Sequence, residues 1–328
     1  MRRRCLLRPV LAALALATSA LATSALPAAA QSVEAMGQRC MALGAAVARC
    51  TELAVAARAL QGDAGVLAGL GSEVSGSAST LGRRLGTTPR VAVGARAAFA
   101  HLSLPDLADP GAEPSRETTL VVPAVHAGVA VGVFDGFSIL PTVGGLLSLD
   151  LLGQTSVTFL PTGEGFAGRS VSYGFGARVG ILRESFTLPG VSVSVARRNL
   201  GTLRFGDVMG PGGGGLELDP TVTSIRATVG KDLLSVGVMA GVGWDRYGGS
   251  ATVLAALDDG STVQAREPSF ENRRTLVFGG ASMNFLVLQL SAEAGWARGF
   301  APVAGYRNTP FDATRATVFG SLAFRLTM

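Results

Sequence analysis

The chain has 328 residues, 28 of them basic and 23 acidic, with 44 Gly and a mean hydropathy of +0.39. That composition excludes the disordered and highly charged classes. Four of the basic residues and none of the acids fall in residues 1–30, so the remainder carries only +1; the isoelectric point near 9.7 belongs to the whole chain and does not argue for nucleic-acid binding, which needs a localised basic surface.

Residues 1–30 read as a signal peptide. Arg2, Arg3, Arg4 and Arg8 precede an Ala/Leu-rich run, and Ala28-Ala29-Ala30 before Gln31 forms a small-residue cleavage site. Residues 31–88 form a periplasmic or lumen-plugging segment: 32–68 has helical composition behind a Ser32 cap, and 69–88 is a Gly/Ser-rich linker. Export makes a Cys40–Cys50 disulfide the expected pairing. In one straight helix the two cysteines would lie about 15 Å apart, too far to bridge. Pairing therefore needs a bend, and Gly44 is the place for it; the alternative is two buried free thiols.

From residue 89 to 328 the hydrophobic period is two. Val91, Val93, Ala95, Ala97 and Phe99 share one face, and small or polar residues share the other. The same split recurs near 118–134, 143–160, 169–183, 190–206, 219–230, 234–247, 286–298 and 314–328; the run 274–284 is ambiguous, with Leu276 and Phe278 opposing Val277 and Met283. Apolar outside and polar inside is the order of a membrane barrel. The expected fold is all-β, a transmembrane antiparallel up-and-down β-barrel of about ten strands. Twelve is the alternative, since Asp259-Gly260 marks a further hairpin at 251–270. Turns near Asp135-Gly136, Pro189-Gly190, Lys231-Asp232 and Asn284 are short, and the other connections long, which places both wall ends on the periplasmic side. Phe99, Phe159, Tyr173, Phe205, Trp244 and Trp296 form an expected outer aromatic girdle, and Phe324 an inner one. A soluble β-sandwich, the competing fold, has no reason to sort aromatics in this way.

The terminal run Val318 to Met328, with Leu322, Phe324 and Leu326 on one face, resembles the C-terminal targeting strand of bacterial outer-membrane proteins, which usually ends in Phe where this chain has Met328. The resemblance implies the outer membrane of a Gram-negative-type bacterium, with barrel-assembly machinery and outer-membrane lipid as partners and the N-terminal segment periplasmic. That segment is also loosely similar to the hatch of long-chain fatty-acid transporters. Those barrels have more strands, and no substrate motif carries over.

Arg96, His126, Asp150, Arg178, Arg226 and Glu293 fall on the inward parity near mid-strand, with Asp150 and Glu293 the acids set against three Arg. A buried charge must be paired or wet. One reading is a structural ion-pair layer, and the other a slightly cationic constriction that favours anions. The expected function is passive: narrow-pore or hydrophobic-solute transport, or envelope structure, with a small or hydrophobic solute as cargo. The alternative is a surface-binding barrel acting through its long loops. An enzyme is not expected. His101 beside Asp106 and Asp109 would sit near the outer rim, but no nucleophile–base–orienter set assembles, and no cofactor or metal motif is present. Gly212 to Gly215 lacks the Lys-Ser/Thr of a phosphate loop. The protein is predicted to fractionate with outer membranes and to migrate faster on a gel unheated than boiled; recovery in the soluble periplasm would contradict the barrel.

Overall fold

The computed structural model describes residues 27–84, 88–105, 107, 117–138, 144–207, 213–303 and 311–328. Most of the expected signal peptide, Asp106, Asp109 and Gly212 lie outside them. Helix α1 spans Pro27–Ala42 and α2 Val47–Gly69. A two-residue ladder, β1 (Arg83–Arg84) with β2 (Thr88–Pro89), leads into β3 (Val91–Pro105), β4 (Glu117–Phe134), β5 (Ser148–Phe159), β6 (Arg169–Leu182), β7 (Gly190–Leu200), β8 (Leu203–Asp207) and β9 (Gly214–Leu233). Then follow β10 (Val236–Ala256), β11 (Thr262–Glu267), β12 (Asn272–Phe285), β13 (Leu288–Ala297) and β14 (Thr317–Thr327).

Ten antiparallel strands close the wall in the order β3-β4-β5-β6-β7-β9-β10-β12-β13-β14, and β14 pairs back onto β3. Two further strands, β8 and β11, stay out of the ring. They pair with the first part of β9 and the last part of β10, where these two strands run on beyond the wall as a ribbon. This settles ten against twelve. The Asp259-Gly260 hairpin is the ribbon's tip: Gly260 has φ +81°, and the Ser261 hydroxyl and backbone N–H donate to the Asp259 carboxylate, holding its pKa below the ordinary value.

Alternation along each strand divides lipid from lumen. On β4, Val121, Val125 and Val129 are exposed while Val122, Ala124, His126 and Ala130 are buried. On β13, Leu290 and Trp296 face out and Gln289, Ser291 and Glu293 face in. No described helix is long and apolar enough to cross a membrane. The third strand starts at Ser148 rather than 143, and the connection before it, which sequence reading took as short, runs from 135 to 147 with a Phe137–Leu146 bridge. The expected strand 190–206 divides at 201–202 into β7 and β8, because only its first part belongs to the wall.

The interior is filled by the chain's own N-terminal segment. The helical stretch expected as one unit bends at Leu43–Ala46, where Gly44 adopts φ +96°, a left-handed conformation that a Cβ would strain. The bend brings Cys40 and Cys50 to a Cα separation of 5.6 Å, and they form a disulfide. From Leu53 to Gly69 every residue of α2 is buried, with no polar face. A helix enclosed on all sides has no reason to be amphipathic. It enters at the long-connection end, where Leu53 lies beside Gly214, and descends to Gly69 beside the Arg226 and Asp245 side chains. Gly65 on α2 is where the Tyr247 ring lies, 2.4 Å from where a Cβ would stand. Residues 70–82 then run down the lower lumen to the short-turn end.

Leu53, Leu60 and Leu67 pack against Leu102, Leu104, Val122, Leu216, Val253 and Phe270, so the hydrophobic core sits inside the upper barrel. That placement explains the ambiguous strand. On β12, Leu276 and Phe278 are inward and buried, facing an apolar helix instead of water, while Met283 faces out. The disulfide closes a short loop, a constraint of about 3 kcal/mol on the unfolded chain. Unreduced, denatured protein should therefore show no alkylatable thiol at Cys40 or Cys50. A Cys40→Ser/Cys50→Ser variant should lose its α1–α2 hairpin to protease first, with the wall's heat-modifiable mobility intact; two reactive thiols would contradict the pairing.

Candidate functional site: a plugged, charge-lined lumen

Six inward groups stand out in the sequence, and the structure buries all six in the lumen: Arg96, His126, Asp150, Arg178, Arg226 and Glu293. Asp150 and Arg178 are directly opposed across β5 and β6, and the guanidinium donates from Nε (3.0 Å) and Nη2 (2.6 Å) to Asp150 Oδ2. The same carboxylate accepts the backbone N–H of Leu81, tying the plug to the wall. Arg226 pairs with an acid that sequence reading left out. Its Nη1 and Nη2 donate bidentately to Asp245 at 2.6 and 3.0 Å, and the Tyr247 hydroxyl adds a bond at 3.2 Å. Asp245 continues the inward parity of Gly237, Gly241 and Gly243, so extending that alternation by one step finds it.

Other partners come from the segment read as a linker and helix. Arg96 Nη1 lies 2.8 Å from Glu73 Oε1 and 3.1 Å from Glu293 Oε2, and the same guanidinium bonds the Leu70 carbonyl and the Ser75 hydroxyl. Higher in the lumen, Arg274 Nη1 and the Thr317 hydroxyl both donate to Asp63 Oδ1 at 2.6 Å. The Arg58 and Arg274 guanidiniums lie over the Phe300 ring, 5.1 and 4.6 Å from its centroid. The expectation that Asp150 and Glu293 are the inward acids is thus corrected: Asp245 joins them from the wall, and Asp63 and Glu73 from the plug.

Two arginines of the middle and lower lumen have no carboxylate among the described residues. Arg198 donates from Nη1 to the Ser72 hydroxyl at 2.7 Å, and Arg325 from Nη1 to the Ser75 carbonyl at 3.1 Å. Arg198 Nε and Nη2, Arg325 Nε, His126 Nε2 and Gln154 Nε2 are buried and find no hydrogen-bond partner among the described residues. A cavity of about 70 Å³ is lined by residues 71 and 73–75 of the plug and by wall strands β14, β3, β4 and β5, both from inside, by His126, Gln154 and Arg325, and from the outward face, by Val93, Val129 and Phe324 among others.

Six of the seven expected girdle aromatics face outward and are exposed: Phe99, Phe159, Tyr173, Trp244, Trp296 and Phe324. Phe205 does not. It is on β8, only 4 % exposed, stacked on Phe166 at 4.4 Å within the interior cluster. Its parity was read as though 190–206 were one wall strand, and the break at 201–202 removes that basis. At the long-connection end, His101 is exposed beside a small cavity that Asp63, Asp312 and Arg315 also line. Asp63 there is committed to Arg274 and Thr317.

The closed wall, its apolar outer band and its polar, filled interior define a transmembrane β-barrel of the bacterial outer-membrane type. No family model matches the chain, and no curated protein matches it. Among solved structures it is similar to Neisserial surface protein A, at 12% identity over 72% of this chain and 96% of that one, TM-score 0.28. It is also similar to the outer membrane protease OmpT from Escherichia coli, at 9% identity over 73% and 96%, TM-score 0.37. The toluene transporter TodX of Pseudomonas putida matches at 9% identity over 78% and 96%, TM-score 0.34. These are likenesses of barrel architecture, and no residue role or activity is carried from them.

The pairings set an order of stability. Asp245→Asn leaves Arg226 buried without its partner, a loss of about 3–5 kcal/mol. Glu293→Gln costs less, because Glu73 still holds Arg96. Thermal unfolding followed by gel mobility should rank Asp245→Asn well below Glu293→Gln; equal melting temperatures would contradict a dry ion-pair lumen.

Proposed function

We propose that this barrel passes a small solute across the outer membrane and that residues 32–84 are its gate. The observation that carries the reading is the polar seam between plug and wall. Asp63, Glu73, the Leu81 N–H and the Gly76 carbonyl hold the segment through Arg274, Arg96, Asp150 and Gln289. Each of those contacts is a polar tie that water can replace once the lumen is wet, which apolar packing does not allow. By the usual barrel orientation the short turns face the periplasm. Of the two placements expected for the N-terminal segment, periplasmic or lumen-plugging, this reading takes the second, with α1 packed against the ribbon through β11. Outer-membrane lipid, the assembly machinery that reads the β14 strand and the solute itself are the proposed partners.

A second reading rests on the ribbon. Strands β8 to β11 and α1 build a platform beyond the wall that suits a surface-binding barrel. Conductance in planar bilayers separates the two. The intact protein should open rarely, and an Asp63→Asn/Glu73→Gln variant, which loses two ties between plug and wall, should open more often and for longer. Silence in both, with heat-modifiable mobility retained, would remove the passage reading and leave the platform.

A further inference from the structure

We propose that the cavity in the lower lumen is a binding site for a small monocarboxylate. The inference names the solute class for the passage reading and rests on that reading only for transport; binding itself stands on the cavity. Its size comes first. At roughly 10–15 Å³ of such volume per water, a space of about 70 Å³ takes a molecule of about five to seven non-hydrogen atoms.

The space exists because side chains are missing on one patch of wall. Gly94 and Gly128 are direct partners across β3 and β4, and Gly128 pairs with Gln154 across β4 and β5. A Cβ at Gly128 would meet its nearest neighbour at 3.7 Å, so a side chain can be placed there without a clash, whereas one at Gly94 would strike the Phe324 carbonyl. Apolar residues border one part of it, among them Val74, Ala92, Ala130 and Leu152, which form a small cluster separate from the main core.

The polar lining supplies donors in excess. Arg325 Nε and Gln154 Nε2 are N–H groups without a partner, and His126 Nε2 is a third unpartnered nitrogen on the same cavity. Buried donors left unmade cost stability, so the site calls for an acceptor. The charges fix its sign. Arg325 makes no ion pair with a described carboxylate; Asp232, Asp150 and Glu293 act on it only from a longer distance. Arg178 and Arg226 have one acid each, Arg96 has both Glu73 and Glu293, and Arg198 and Arg325 have none. Glu73 also borders the cavity, but its carboxylate is engaged by Arg96. An anionic acceptor would give the Arg325 guanidinium the close partner it lacks, which a neutral alcohol would not. A carboxylate on a short apolar body meets the donors with its head and the Ala92–Leu152 patch with its tail.

The test uses the full mature chain refolded in detergent, with 13C-labelled propionate observed by NMR at constant ionic strength. Propionate should bind saturably at one site. Arg325→Gln should weaken it about tenfold or more, the loss of a hydrogen bond to a charged group. Gly128→Val, which fills the cavity from an open wall position, should abolish it. Inorganic phosphate and 1-propanol should compete poorly. Absence of saturable propionate binding to folded protein would overturn the proposal, as would binding indifferent to both variants. Equal competition by phosphate would reduce the site to a general cation patch, and equal competition by propanol would remove the carboxylate; either result overturns the assignment. Conductance without propionate binding sinks this inference alone, and binding without conductance sinks only the passage reading.

Discussion

Everything in this molecule follows from the space that ten strands enclose. A ring of that size is too wide to be filled by its own inward side chains when many of them are Gly, Ala and Ser, and too narrow to be a free water channel. The chain resolves this by folding its N-terminal segment into the ring. Once the lumen is occupied by protein, inward charges lose water and must be matched. The bidentate Arg226–Asp245 pair, the Arg178–Asp150 pair and the Arg96–Glu73–Glu293 triad are the consequence.

The filling divides the lumen into two zones. Toward the long connections, α2 is sealed by Leu, Val and Phe from the wall, and the closed Cys40–Cys50 hairpin caps that seal. Toward the short turns, residues 70–82 have no regular structure and meet the wall through single hydrogen bonds and ion pairs. Unpartnered donors collect in this lower zone, and so does the cavity. The lumen is thus tightly packed toward the long connections and loosely bonded toward the short turns, an asymmetry that the proposed gate would use.

Much of the wall was legible from period two alone, because lipid on one side and polar groups on the other give each strand a readable parity. The reading failed where the inner environment changes. At Leu276 and Phe278 the lumen is apolar, so both faces of β12 look alike. At Phe205 the strand had already left the ring, and parity no longer meant lipid. The inward layer was found as a set of residues, but half of its chemistry was not. Glu73 and Asp63 belong to a segment whose path depends on tertiary packing, which no local pattern encodes. Asp245 was within reach, one alternation step past Trp244. The disulfide was legible because export, two cysteines and one glycine between them left few ways to close the loop.

The occupied lumen is tested most directly by hydrogen exchange of the full chain in lipid nanodiscs, followed peptide by peptide. The account predicts that amides of α2, Val47–Gly69, are protected to the level of the wall strands, while residues 70–82 exchange faster because single side-chain contacts hold them. Exchange of α2 at the rate of a free helix, with the wall strands still protected, would mean that the helix lies outside the ring and would contradict the account.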